Sequence, residues 1–284
     1  MSVYMFPGQG SQIKDMGKDL FALFPELILK ADQILGYSIK DICLEDFQQQ
    51  LNQTQYTQPA LYTVNALTYF KKIQDIGKSN KPSFVAGHSL GEYNALLAAE
   101  VFDFETGLQL VKKRGELMSQ ATGGAMAAVV GLKADTIKTL LIQNDLMNVT
   151  IANDNSHTQS VLSGQKENIA RAQAICEQAG AMMVVPLKVS GAFHSPYMRT
   201  AQEQFQEFLS RFEFSPPTIP VISNYTAQPY SANEIYRNLA QQITHPVRWT
   251  ETIKYLLKQG ETEFEEIGPG IVLNGLLRRI KNEQ

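Results

Sequence analysis

Gly87-His88-Ser89-Leu90-Gly91 joins a short apolar run, Ser83-Phe84-Val85-Ala86, to an alanine-rich segment, Glu92-Tyr93-Asn94-Ala95-Leu96-Leu97-Ala98-Ala99. The first has the character of a buried strand and the second that of a helix. A strand, a tight Gly-x-Ser-x-Gly turn and a helix make a nucleophile elbow. Small residues at 87 and 91 let the backbone fold sharply, and Ser89 is lifted to the apex, at the positive N-terminal end of the helix. The alternative is an ordinary glycine-rich turn in which Ser89 only caps the helix.

Upstream, Val3-Tyr4-Met5-Phe6 reads as a first buried strand running into Pro7-Gly8-Gln9-Gly10-Ser11-Gln12. A loop with two glycines and two amides can aim backbone N–H groups at an anion or oxyanion, or can simply cap the next helix. Apolar spacing predicts a helix from Asp15 to Phe24, and residues 25–82 read as mostly helical. Within them Thr57 is the expected cap, and Pro59 the first turn, of one strong helix. Downstream of the elbow, Asp103 to Met118 is another helix. It carries Arg114, either a paired or exposed charge or a guanidinium pointing into a site.

Composition changes at Thr122-Gly123-Gly124. The pattern then runs strand 125–131, helix 135–143, strands 149–152 and 159–163, helix 166–179 and strand 181–187. That β-α-β-β-α-β order is the ferredoxin-like signature. It predicts an α/β protein in which residues 1–123 and 189–284 form a large subdomain with a parallel sheet, and 124–188 an inserted small one. A helix over 196–212, a strand over 219–223, helices near 232–243 and 249–259, a strand over 264–267 and a closing helix complete the chain.

A serine hydroxyl needs a base within hydrogen-bond reach. Of four histidines, His88 adjoins the serine with its ring directed away, His157 lies in a polar turn and His245 precedes Pro246. His194, in a Gly-Ala-Phe-His-Ser turn where the chain returns from the insert, is the strongest candidate. The alternative is a satisfied structural histidine. Its orienting acceptor can be Asp135, Asp145, Asp154 or a backbone carbonyl.

With 284 residues, 44% hydrophobic, and a net charge of −3, nothing directs the chain to nucleic acid or a membrane surface. Cys43 and Cys176 share no short spacing and read as reduced, packed thiols. Without a basic n-region, a cleavage site or an apolar run of membrane length, a cytoplasmic protein is expected. There is no His-Glu-x-x-His, cysteine cluster or P-loop, so no metal is implied. Gly268-Pro269-Gly270 does not complete a dinucleotide fingerprint, because position 273 is Leu.

Five motifs in this order, Phe6–Gln12, Gly87–Tyr93, Lys113-Arg114-Gly115, Gly191–His194 and Pro246–Trp249, resemble the malonyl-CoA:acyl carrier protein transacylase family. Phe264–Gly270 extends the resemblance over nearly the whole chain. It implies an α/β-hydrolase-like core with a ferredoxin-like insert, and an enzyme that binds no cofactor of its own. Malonyl-CoA would be the donor, and the phosphopantetheine thiol of an acyl carrier protein the acceptor. By the same resemblance Ser89 is the nucleophile, His194 its base, and the N–H groups of Gln9 and Leu90 the oxyanion hole. Arg114 would hold the malonyl carboxylate, Phe193 would crowd out an α-methyl branch, and Asn153 and Asn155 would line the entrance. The main-chain carbonyl of Arg248 would orient the base. Val101–Gly107 and Leu110–Met118 look more like the discrete enzymes that load polyketide synthases lacking their own acyltransferase than the fatty acid type. The competing function is a hydrolase clearing stalled acyl groups from carrier proteins, which has little use for Arg114.

Overall fold

The computed structural model describes residues 2–77 and 80–282. Four strands form a parallel sheet in the order β7-β2-β1-β8, with β1 at Ser2–Phe6, β2 at Phe84–Gly87, β7 at Val221–Ile222 and β8 at Glu263–Glu266. Four others form a separate antiparallel sheet in the order β4-β5-β3-β6: β3 at Gly124–Val130, β4 at Thr150–Ser156, β5 at Gln159–Gln165 and β6 at Met183–Pro186. The protein is therefore mixed α/β.

Strand β1 shows why the parallel sheet is central. Its side chains alternate, so Tyr4 and Phe6 enter one core while Val3 and Met5 enter another. Helices Thr54–Ile76 and Phe104–Gln120 cover the first face, and Trp249–Lys258 and Val272–Asn282 the second. A strand buried on both faces reads as a near-continuous apolar run, as β1 does from Val3 to Phe6. In register, Phe6 lies opposite Gly87, so the 7–12 loop and the elbow leave adjacent strand ends side by side.

The antiparallel sheet meets the parallel one through Val247, whose N–H donates to Ala152 O (2.8 Å) and whose carbonyl accepts from Asp154 N–H (3.0 Å). Its own core gathers Val129, Ile137, Leu162, Ile169 and Cys176.

Two local expectations fail. Instead of one helix over 15–24 there is a single turn, Lys18–Phe21, followed by a separate helix, Pro25–Leu35. Gly17 adopts φ +80°, outside the helical range, and Pro25 fits the first helical turn, where its missing N–H costs nothing. The long helix begins at Thr54, one turn earlier than expected, so Pro59 lies inside it. Thr57 is not its cap; the hydroxyl donates to Leu51 O and Gln53 O. No helix among the described residues is long and apolar enough to cross a membrane.

Candidate active site

The elbow is held by contacts that few side chains would permit. A Cβ on Gly87 would fall 2.0 Å from the carbonyl of Gly91, and one on Gly91 would fall 2.0 Å from Phe6 O. Only glycine lets the turn close on itself and pack against β1. Ser89 sits at φ +51°, a left-handed conformation that costs a side-chain-bearing residue roughly 1–3 kcal/mol and persists where the surroundings over-determine it. Asn224 supplies the brace. Its Oδ1 accepts from Ser89 N–H (2.7 Å) and its Nδ2 donates to Gly87 O (2.6 Å).

His194, also at positive φ (+55°), places Nε2 2.7 Å from Ser89 Oγ and Nδ1 2.8 Å from the main-chain oxygen of Gln242. A carbonyl can only accept, so Nδ1 carries the proton and Nε2 is left to take one from the serine. The orienting carbonyl is not that of Arg248. Helix Trp249–Lys258 starts at the next residue, and the Arg248 carbonyl accepts from Thr252 N–H (3.0 Å) in its first turn. Gln242 instead closes helix Ile235–Gln242, where the last carbonyls lack helical partners, so one remains for the imidazole. None of the three aspartates is required; Asp154 accepts from the Thr250 hydroxyl (2.9 Å). Burial first, then the Arg114 charge, pushes the His194 pKa down to about 3.

Arg114 is 1% exposed. Nη1 donates to Gln58 Oε1 (2.7 Å), and Nη2 donates to both Gln242 Oε1 (2.9 Å) and Ser89 Oγ (3.0 Å). Its guanidinium also lies 5.6 Å from the Tyr93 ring centroid. The Gln242 amide nitrogen donates to Ser89 O (2.9 Å) and to Glu92. Glu92, fully buried, also accepts from Tyr230 Oη (2.6 Å) and Asn224 N–H (3.0 Å). Burial pushes its carboxyl up to about 7 against those donors and the Arg114 charge. Sequence reasoning missed Gln58, Glu92, Asn224 and Gln242. Glu92 offered a faint signal, as the one charged residue of helix Gly91–Ala98.

Ser89, His194 and Arg114 line a cavity of about 80 Å³ with Gln9, Leu90, Asn153 and Phe193. Gln9, His88, Asn153, Leu187 and Val189 also line an outer cavity of about 430 Å³. It lies between the 7–12 loop, the antiparallel sheet (Ala128, Asn155, Val161) and the closing helix (Val272, Leu273, Leu276). Neither Gln9 N–H nor Leu90 N–H enters a backbone hydrogen bond among the described residues. Asn155 borders the outer cavity, with Oδ1 2.8 Å from His88 Nε2, and the His88 ring packs against Trp249. His245 is held apart by Gln241 O (2.8 Å).

The acyl transferase domain family matches residues 3–281. The chain belongs to this family. Among curated acyl transferase relatives, the polyketide biosynthesis malonyl CoA-acyl carrier protein transacylase PksC of Bacillus subtilis is 58% identical over 284 residues, covering 100% of this chain and 98% of its own. The malonyl CoA-acyl carrier protein transacylase of Synechocystis sp. is 44% identical over 98% of this chain and 93% of its own. A crystal structure of malonyl CoA-acyl carrier protein transacylase from Burkholderia pseudomallei superposes with a TM-score of 0.96 at 50% identity, covering 100% of this chain and 99% of that one.

Proposed function

We propose that this protein is a malonyl-CoA:acyl carrier protein S-malonyltransferase working through a malonyl-serine ester. The observation that carries the proposal is Arg114 Nη2 at 3.0 Å from the Ser89 hydroxyl that faces His194. A buried guanidinium beside the nucleophile suits an acyl group that ends in a carboxylate. The hydrolase alternative acts on neutral chains and leaves that charge without a task.

Ser89 Oγ attacks the thioester carbonyl as His194 Nε2 takes its proton. The N–H groups of Gln9 and Leu90 hold the oxyanion, and removing one such donor typically costs about 3–4 kcal/mol in the barrier. The C–S bond breaks, His194 returns its proton to the departing sulfur, and CoA leaves as the thiol. The ester at Ser89 is a poorer acceptor than the hydroxyl was, which frees Arg114 Nη2 for the carboxylate. A carrier-protein phosphopantetheine thiol then gives its proton to His194 and attacks the ester, and Ser89 recovers the proton as the C–O bond breaks. Ping-pong kinetics follow. The protein itself needs no cofactor for these steps.

Phe193 in the inner cavity would crowd an α-methyl branch, while Asn153 and Asn155 would border the path of the thiol arm. The higher identity to the polyketide relative (58%) than to the Synechocystis one (44%) supports service to polyketide synthases lacking their own acyltransferase. The all-antiparallel order β4-β5-β3-β6 supports a ferredoxin-like insert over 124–188. The parallel sheet with the elbow after β2 supports an α/β-hydrolase-like core over 1–123 and 189–284. Two buried free thiols, Cys43 and Cys176, and a CoA thioester as donor fit action in the cytoplasm.

Intact-mass analysis after mixing with malonyl-, methylmalonyl- and acetyl-CoA tests the proposal. Wild type gains a malonyl adduct that a carrier protein discharges, Ser89→Ala gains none, and Arg114→Ala loses its preference for malonyl. Release of acetyl and malonyl groups from carriers to free acid at equal rates would replace transfer by hydrolysis.

A further inference from the structure

Gln242 reaches the catalytic group twice, and only one of the two contacts is fixed by the backbone. Its main-chain oxygen accepts from His194, whereas its side-chain amide touches Arg114, Ser89 and Glu92. An amide is nearly symmetric in shape, so packing alone does not decide which end faces Arg114. The partners decide it. Arg114 can only donate, and Ser89 O can only accept. On the far side, Glu92 Oε1 is taken by the Tyr230 hydroxyl (2.6 Å) and by the N–H of Asn224 (3.0 Å), and Oε2 faces the amide nitrogen. Turned over, the amide would set its oxygen against a carboxylate and its NH2 against a guanidinium.

We infer that Glu92 is a positioning residue: together with Ser89 O it anchors the nitrogen of the Gln242 amide, and through that amide holds Arg114 where its fork meets the acyl carboxylate. The amide also keeps the two buried charges from pairing directly. A bidentate Arg114–Glu92 pair would occupy the same N–H groups that the substrate needs. Bridged through Gln242, Arg114 spends on the network one N–H of Nη2, toward the amide oxygen, and one of Nη1, toward Gln58. The selectivity of the site for an acidic acyl group then depends on a residue that never touches the substrate.

This inference rests on the malonyl-transfer function, and its test separates the two. Single-turnover acylation of Ser89 is followed by intact mass with malonyl-CoA and acetyl-CoA, for wild type, Glu92→Gln, Gln242→Met and the double variant. Glu92→Gln keeps the shape but brings an NH2 among three donors, so the Gln242 amide nitrogen loses its charged acceptor and keeps only Ser89 O. The malonyl-to-acetyl rate ratio should fall by about tenfold or more, a size ordinary for coupled neighbours. In the Gln242→Met background the same substitution should change that ratio by less than about twofold, because its effect travels through the amide. An unchanged ratio in Glu92→Gln, or full additivity of the two substitutions, overturns the inference while leaving malonyl transfer intact. Absence of a malonyl adduct on wild type overturns the function instead. If Glu92→Gln does not fold by circular dichroism, Gln242→Met alone must still lower the ratio about tenfold, and an unchanged ratio there is equally fatal.

Discussion

Protonation of the His194 imidazole, the proposed base, is opposed from two sides. Burial removes the solvation of an imidazolium, and Arg114, sharing Ser89 Oγ with it, adds like-charge repulsion. A base whose pKa is lowered from 6.5 to about 3 stays competent as the pH falls. With acetyl-CoA, which brings no carboxyl of its own, the acid limb of single-turnover acylation is therefore expected well below pH 6.5. In Arg114→Ala that limb should move upward, because one of the two depressing causes is gone. A wild-type limb at the ordinary histidine value would contradict the burial argument. The same shift has a stability consequence. Keeping His194 neutral favours the fold fully above pH 6.5, and that contribution is lost as the pH falls toward 3. At this scale Ser89, His194 and Arg114 were legible because their chemistry is scarce: one serine on an elbow, four histidines to choose from, one arginine beside Gly115. Gln58, Asn224 and Gln242 were not, because amides occur everywhere and act only through the partner they meet.

Among the elements, the junction of β1, the elbow and helix Gly91–Ala98 carries the most constraint. A Cβ at Gly91 would lie 2.0 Å from Phe6 O and 2.9 Å from Pro7 O, both backbone atoms with no rotamer to yield. Gly91→Ala should force the helix away from the sheet and cost more than about 3 kcal/mol. Thermal unfolding should show this as a melting temperature lower by roughly 6–10 °C, with acylation lost as the elbow distorts. Gly275→Ala makes the opposing case. It lies exposed in helix Val272–Asn282, with nothing within 4 Å of the added Cβ. There alanine should raise stability by about 0.5–1 kcal/mol through helix propensity alone. The element order from β3 to β6 was readable because its strands and helices follow their own periodicities. The 15–24 segment was misread because apolar spacing says nothing of a left-handed glycine at 17.

On the scale of the molecule, the outer cavity exists only because parts of the chain far apart in sequence enclose it, among them the 7–12 loop, strands β3–β5, the 187–189 segment and the closing helix. Filling it should obstruct the arm that delivers either thioester or thiol without touching the chemistry. Ala128→Trp is expected to raise KM for both malonyl-CoA and the carrier protein while the malonyl-to-acetyl preference stays as in wild type. Steady-state kinetics with both acyl donors check this, and a changed preference would mean that the wall reaches the inner site. By itself the sequence determined the strand-turn-helix that presents Ser89, the pairing of Ser89 with His194 and the order of elements over 124–186, because each is written in local spacing or in rare residue types. Only the tertiary structure decided which carbonyl stands behind His194. Gln242 lies 48 residues away, and its oxygen is available because a helix happens to end there facing the ring. Arg248, which the resemblance proposed, begins the next helix and has its carbonyl taken. A backbone oxygen has the same chemistry at every residue, so its role is set by where the chain puts it.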